Sequence, residues 1–421
     1  GGCRVETITK VGYRLVEGQA EAGATGRFRS GPRRGGPISR RAAIGGAAAV
    51  AAAGGAWWLA GDPVGNTVDP EVARLMAEAK EATREGMPDD MARAAALYRL
   101  AVERDPDNAE AWGALAAVYR FQWEFSPAEE APAMAARARS AAKRALEIDP
   151  GNGDAAATLA GLVPLFGNWA SVEAQLRPVL ARHPQKVRVR LGRLLADTGR
   201  LEEALALVGQ AVAADPDIPR ARNFHARLLH DTGRTAEAER ALDAALARWP
   251  RHLLLWFSRF YLLAYSGRPQ SALAFAGNRA GRPIGVPDRV FDIAAASATA
   301  LATGSAADTA RALQLNLEAI SDGAAFAENA VTFCSAIDRL DEAFKVLEAY
   351  YFGRGPAISD SRFGHETATY TPSYNRQSYF LFYAPSTRLR ADPRFATLVR
   401  EIGLEAYWRQ TGTLPDYRRR A

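Results

Sequence analysis

Five side chains on two neighbouring helical stretches have the types and spacing for recognition chemistry: Lys186 and Arg193 in one, Arg220, Asn223 and Arg227 in the next. Separations of three, four and seven positions place such groups on one helix face, and His230 extends the second set. Two basic groups facing an amide suit a carboxylate, which a guanidinium grips through parallel N–H donors. That carboxylate could belong to a peptide or a small molecule. The same pattern also describes a solvated basic face with no ligand, and at this level both readings stand.

Catalytic chemistry has no comparable signal. There is no phosphate loop, no His-Glu-x-x-His, no Gly-x-Ser-x-Gly and no Cys/His cluster at metal spacing. His225 and His230, five apart in one helix, are poorly placed to share a metal. Cys3 and Cys334 form no Cys-x-x-Cys pair, and Cys334 lies in the apolar run Val331-Thr332-Phe333, where a buried inert thiol is expected. The expectation is a non-enzyme without catalytic residues, cofactor or metal.

The elements that carry these side chains repeat. A residue followed by proline recurs at Asp105-Pro106, Asp149-Pro150, His183-Pro184, Asp215-Pro216 and Trp249-Pro250. The steps from Pro150 to Pro184, Pro216 and Pro250 are nearly equal. Small and apolar residues precede each proline at helical spacing, as in Ala204, Val208 and Ala211 or Ala238, Leu242 and Ala245. Gly199 and Gly233 punctuate the turns, each followed by a basic residue and then Glu-Ala. This period is identified as that of the tetratricopeptide (TPR) repeat, two helices per unit with the first lining a concave groove. The longer step from Pro106 to Pro150 implies an insertion near Trp123–Pro132.

The fold class that follows is all-α, a TPR-like right-handed α-solenoid over residues 70–351, with a protein or peptide partner in its groove. Residues 352–383, rich in Gly, Ser, Tyr and Thr, are expected as an irregular connector, and 384–421 as a capping helix and tail. The closing run Leu389–Phe395, Ile402-Gly403-Leu404, Tyr407-Trp408 and Pro415-Asp416 resembles the last helix of repeat domains in bacterial membrane-anchored regulators and in class III adenylate cyclases with TPR tails.

The segment 1–41 holds nine Lys/Arg against three acids, a net +6 that equals the charge of the whole chain, so the remainder balances. The basic excess is local and is no sign of a nucleic-acid-binding bulk. Residues 18–41 are read as a basic linker. Ala42–Gly61 is charge-free and long enough, at about 1.5 Å per residue, for a bilayer. Arginines before it and Trp57-Trp58 at its end predict a single-pass inner-membrane helix, N-terminus cytoplasmic and repeats periplasmic. A twin-arginine export signal after Ser39-Arg40-Arg41 and an Ala/Gly linker are the other readings.

Within residues 1–17, Glu6-Thr7-Ile8, Gly12, Tyr13, Arg14 and Leu15 form a hairpin pattern. It resembles the C-terminal wing of OmpR/PhoB-type winged-helix domains, with Lys10 leaning toward the ToxR/CadC-like membrane-anchored regulators. That resemblance implies backbone contacts to DNA from Lys10 and Arg14. Sequence-specific DNA reading would then fall to a domain upstream of Gly1, since the chain opens Gly-Gly-Cys without an initiator Met and is read as truncated. The function implied is a membrane-anchored transcriptional regulator, signalling through association of subunits as a homodimer. An exported or anchored TPR scaffold without a DNA role is the alternative, and the regulatory tail of an adenylate cyclase the second.

Overall fold

A computed structural model describes residues 4–8, 12–16, 69–363 and 369–419. The chain divides into two compact units, 1–66 and 67–421. In the first, strands β1 (Arg4–Ile8) and β2 (Gly12–Val16) pair antiparallel, Arg4 opposite Val16. A two-stranded hairpin occurs in many folds and does not establish a winged helix. Lys10 lies outside the described residues.

Among the described residues, the second unit opens with sixteen helices that pack consecutively. They are α1 (Pro70–Glu85), α2 (Pro88–Arg104), α3 (Ala109–Glu124), α4 (Ala131–Ile148), α5 (Gly153–Gly161), α6 (Trp169–Arg182), α7 (Pro184–Asp197) and α8 (Leu201–Ala214). Then come α9 (Pro219–Asp231), α10 (Thr235–Arg248), α11 (Leu253–Tyr265), α12 (Pro269–Gly277), α13 (Asp288–Thr303), α14 (Ala306–Ala319), α15 (Ala324–Ala336) and α16 (Leu340–Phe352). Proline at the first helical position, where its missing N–H is no loss, opens α1, α2, α7, α9 and α12. Pro184 therefore starts α7 directly after α6, which ends at Arg182.

The turn inside a repeat has one construction. Gly199, Gly233 and Gly267, one repeat period apart, take φ of +77°, +90° and +78°. The next residue's amide then bonds five positions back: Arg200 N to Leu195 O at 2.8 Å, Arg234 N to Leu229 O at 2.8 Å, Arg268 N to Leu263 O at 3.2 Å. This left-handed cap closes the last turn of α7, α9 and α11. Asp338, at φ +62°, does the same for α15, with Arg339 N on Cys334 O at 2.8 Å. The arginine after each glycine reaches back to an acid one helix pair earlier: Arg200 to Glu173 at 2.9 Å, Arg234 to Glu202 at 3.2 Å, Arg268 to Glu239 at 2.8 Å.

The long step before Pro150 has a distributed cause. α3 and α4 run 16 and 18 residues, against 13 and 14 in α9 and α10, and a longer loop joins them. The array also curls back on itself. Arg220 on α9 donates to Gly86 O beyond α1 and lies over the Phe121 and Phe125 rings at 4.8 and 5.6 Å.

Beyond α16 the chain returns across the array and ends in four short helices, α17 (Thr387–Ala391), α18 (Arg394–Glu401), α19 (Leu404–Thr411) and α20 (Asp416–Arg419). Within the expected irregular connector, Tyr379, Phe380, Leu381 and Phe382 are buried in the same core as α5 to α11. Tyr407 on α19 donates to Glu173 at 2.6 Å, and Trp408 Nε1 donates to Thr198 O at 2.9 Å.

The membrane expectation is corrected. Among the described residues no helix is long and apolar enough to cross a membrane, and the single-pass inner-membrane placement with periplasmic repeats is not upheld. Residues 42–61 lie outside the described residues. Their length fits a span, but only Ile44, Val50, Leu59 and the two Trp are strongly apolar among Ala and Gly, too few for favourable transfer into hydrocarbon.

Candidate functional site

The groove face belongs to the first helix of each pair, and in the middle of the array it is filled. Residues 369–386, here termed the strap, cross it. Tyr370 N donates to Phe125 O at 3.0 Å and Asn375 Nδ2 to Glu124 O at 2.8 Å, so the lengthened α3–α4 region receives its start. On α7, Asp197 Oδ1 accepts Ser378 N at 3.2 Å and Tyr379 N at 2.8 Å, while Ser378 Oγ donates to Asp197 O at 2.7 Å. On α9, Asp231 accepts Tyr379 Oη at 2.6 Å and Ala384 N at 2.9 Å. Arg227 lies over the Tyr379 and Tyr383 rings at 5.4 and 4.4 Å. At the exit Ser335 Oγ donates to Pro385 O at 3.1 Å and accepts Leu389 N.

Charges under the strap pair with one another. Glu124 accepts Arg120 and Arg190, each at 3.0 Å. Burial alone would raise its carboxyl, but Arg190, Arg120 and Arg193 outweigh that and hold it at about 2. Burial pushes the Arg190 and Arg220 guanidiniums down to about 10, and pushes the Asp197 carboxyl up against the pull of Arg193 and the two strap amides. Upstream, Glu328 on α15 takes a two-pronged bond from Arg362 at 3.1 and 3.0 Å and one from Tyr350 Oη at 2.7 Å.

Positions one period apart play matching parts. Arg193-Leu194-Leu195-Ala196-Asp197 and Arg227-Leu228-Leu229-His230-Asp231 present an arginine and a carboxylate to the strap, and Tyr261-Leu262-Leu263-Ala264-Tyr265 continues the series without charge. The tetratricopeptide repeat family matches residues 166–219, 189–252 and 225–281. The array carries TPR repeats.

No curated protein sequence matches the chain. Among solved structures, a tetratricopeptide repeat protein from Parabacteroides merdae is 18% identical over 60% of this chain and 93% of its own, with a TM-score of 0.36. PilW, a type IV pilus biogenesis factor, is 20% identical over 50% and 92%, TM-score 0.33. Yeast Tom70 is 14% identical over 81% and 69%, TM-score 0.36. Likeness at this level concerns the helical-repeat build alone.

Four of the five candidate groove residues have partners within the chain, while Asn223 is buried with its Oδ1 unpaired. Lys186 pairs with Asp154 of the preceding repeat. Arg193 bonds Asp197 at 3.2 Å. Arg220 meets Gly86, Phe121 and Phe125, Arg227 meets Tyr379 and Tyr383, and Asn223 is buried. His230 Nδ1 lies 3.4 Å from Thr235 Oγ1. Of the wing pair, Arg14 falls in β2 and Lys10 outside the described residues. Asp197, Asp231, Glu124 and Glu328 escape a sequence reading because acids along helices look like ordinary solubilising charge. The signal that reveals two of them is the recurrence, once per repeat, of arginine and aspartate four apart.

Proposed function

We propose that this chain is a TPR scaffold that binds a short segment of a partner protein on the part of its groove face that the strap leaves open, beside Tyr261 and Tyr265. The observation that carries this reading is the strap itself. The face already holds foreign backbone through one carboxylate per repeat: Asp197 and Asp231 each accept the first amide of a 3-10 turn of the strap, Tyr379–Phe382 and Ala384–Ser386. The strap leaves the face at Pro385, where the series passes to Tyr261 and Tyr265.

Magnitudes decide against a partner that displaces the strap. Burying Tyr379, Phe380, Leu381 and Phe382 contributes about 1.5–3 kcal/mol each, a sum comparable to the ~5–15 kcal/mol net stability of a domain. A short peptide has no means to replace that. The regulator reading rests on resemblances, of Glu6–Ile8 and Gly12–Leu15 to a wing and of the closing run to regulator repeat domains; the scaffold reading requires no DNA contact.

The test is a photo-crosslinking phenylalanine analogue placed at Tyr265 or, on the outer face, at exposed Leu100. In cells producing the chain, position 265 should yield a discrete protein adduct and position 100 none. Adducts from 100 with none from 265 would overturn the reading.

A further inference from the structure

Where the strap leaves the face, a cleft of about 300 Å³ lies between Tyr265, Pro269, Leu301, Ser335, Pro385 and Arg388. That volume suits one large side chain with a little backbone, at the small end of ligand sites. Among the described residues no carboxylate lines it. Arg388 is exposed, and its one hydrogen bond among the described residues is a long one, 3.5 Å to Ala336 O. Neighbouring arginines differ. Arg390 donates to Leu381 O and Tyr383 O, both at 2.9 Å, and Arg394 pairs with Asp341 and Asp392 at 2.7 and 2.8 Å.

Two further features set the sign of the ligand. α11 and α15 both end at the cleft, and free carbonyls there would favour a cation. Most of those carbonyls are already taken: Leu262 O and Leu263 O by Ser266 N and Arg268 N in α11, and Phe333 O, Cys334 O and Ser335 O by Ile337 N, Arg339 N and Asp338 N in α15. The Tyr265 phenol is driven well above its ordinary range by burial, so it stays a donor. Ser335 is occupied by the strap exit and serves as floor.

We propose that this cleft takes an acidic, apolar segment of the partner: a side-chain carboxylate on Arg388 and the Tyr265 hydroxyl, with an adjacent Leu or Phe between Pro269, Leu301 and Pro385. This rests on the scaffold reading above and names the chemistry of its partner. The segment continues the line of the strap, but is held by a cation where the strap is held by carboxylates.

The probe is a displayed library of random decapeptides selected on the full chain. Enriched peptides should carry Asp or Glu next to, or one position removed from, Leu or Phe. Arg388→Glu should weaken their binding about tenfold or more, Tyr265→Phe less, and Arg139→Glu on an exposed stretch of α4 not at all. Basic enriched peptides, or acidic ones that bind Arg388→Glu as tightly, overturn the inference while leaving the scaffold reading intact if position 265 still crosslinks. No enrichment together with no crosslink from 265 removes both.

Discussion

Asp197 and Asp231 occupy one position in consecutive repeats, and both give their carboxylates to backbone amides of the same returning segment, at 2.8 Å to Tyr379 N and 2.9 Å to Ala384 N. Removing the first leaves two amides and the Arg193 guanidinium without an acceptor. Asp197→Ala should cost about 3–5 kcal/mol, the scale for breaking one partner of a buried charge pair. Asp197→Asn, which keeps a carbonyl oxygen for the amides, should cost clearly less. Urea unfolding of both variants checks the order; equal losses would show that the amide bonds contribute little.

Removal of residues 353–421 should not free a working groove. It uncovers α6, α7, α9 and α15 where Phe380, Phe382, Leu389, Phe395 and Trp408 pack, each worth about 1.5–3 kcal/mol. The expected outcome is aggregation or loss of cooperative unfolding. A monomeric, folded truncation would show the strap to be a detachable latch.

Gly323 sits where a Cβ would lie 2.7 Å from Ser361 O and 2.9 Å from Arg362 O. Those carbonyls are pinned, since they accept Ala324 N at 2.8 Å and Ala325 N at 3.0 Å at the start of α15. Gly323→Ala should therefore destabilise by about 1–3 kcal/mol. Gly277, with nothing within 4 Å of its would-be Cβ, should accept Ala without loss. Thermal melting of the two variants separates crowding from a general glycine effect.

His252 precedes α11 with both ring nitrogens buried and without hydrogen-bond partners. Burial, reinforced by Arg220, takes its imidazole from about 6.5 down to about 4. The unfolded chain binds the proton from pH 6.5 downward and the folded chain only near 4, so the site lowers stability as pH falls through that window. His252→Leu should flatten the dependence of the urea midpoint between about pH 6.5 and 5. An unchanged slope would assign it to another group.

Cys334 is fully buried in α15, and burial pushes its thiol up to about 12. Under native conditions at about pH 8 it should resist a disulfide reagent and react fully once urea unfolds the chain. Rapid native labelling would mean that α15 opens locally.

The repeat register was legible because it is local. Helix spacing, a turn glycine once per repeat and proline near helix ends all act within one unit, so Gly199 and Gly233 announce their turns directly. The strap was not, because its partners are remote in sequence: Ser378 and Asp197 lie 181 residues apart, Tyr379 and Asp231 148. The Gly, Ser and Thr of 352–383 read as loop, while Tyr379–Tyr383 at its end is a run of four aromatics and a leucine that only a core would hold. The candidate basic residues fall on α7 and α9, and what covers Arg193 and Arg227 follows only from where the chain returns.

In a simple repeat array each unit touches only its neighbours, so such arrays fray from their ends. Here the strap joins residues 251 apart and the C-terminal helices bond Glu173 across 234. Closing loops of that length carries an entropy cost met late, after the helices have formed, and it slows the final step. The array should thus pass through a stage with helices formed and groove bare, its aromatic segment still exposed. That interval, before any partner is met, is when the protein is most exposed to aggregation and most dependent on chaperones.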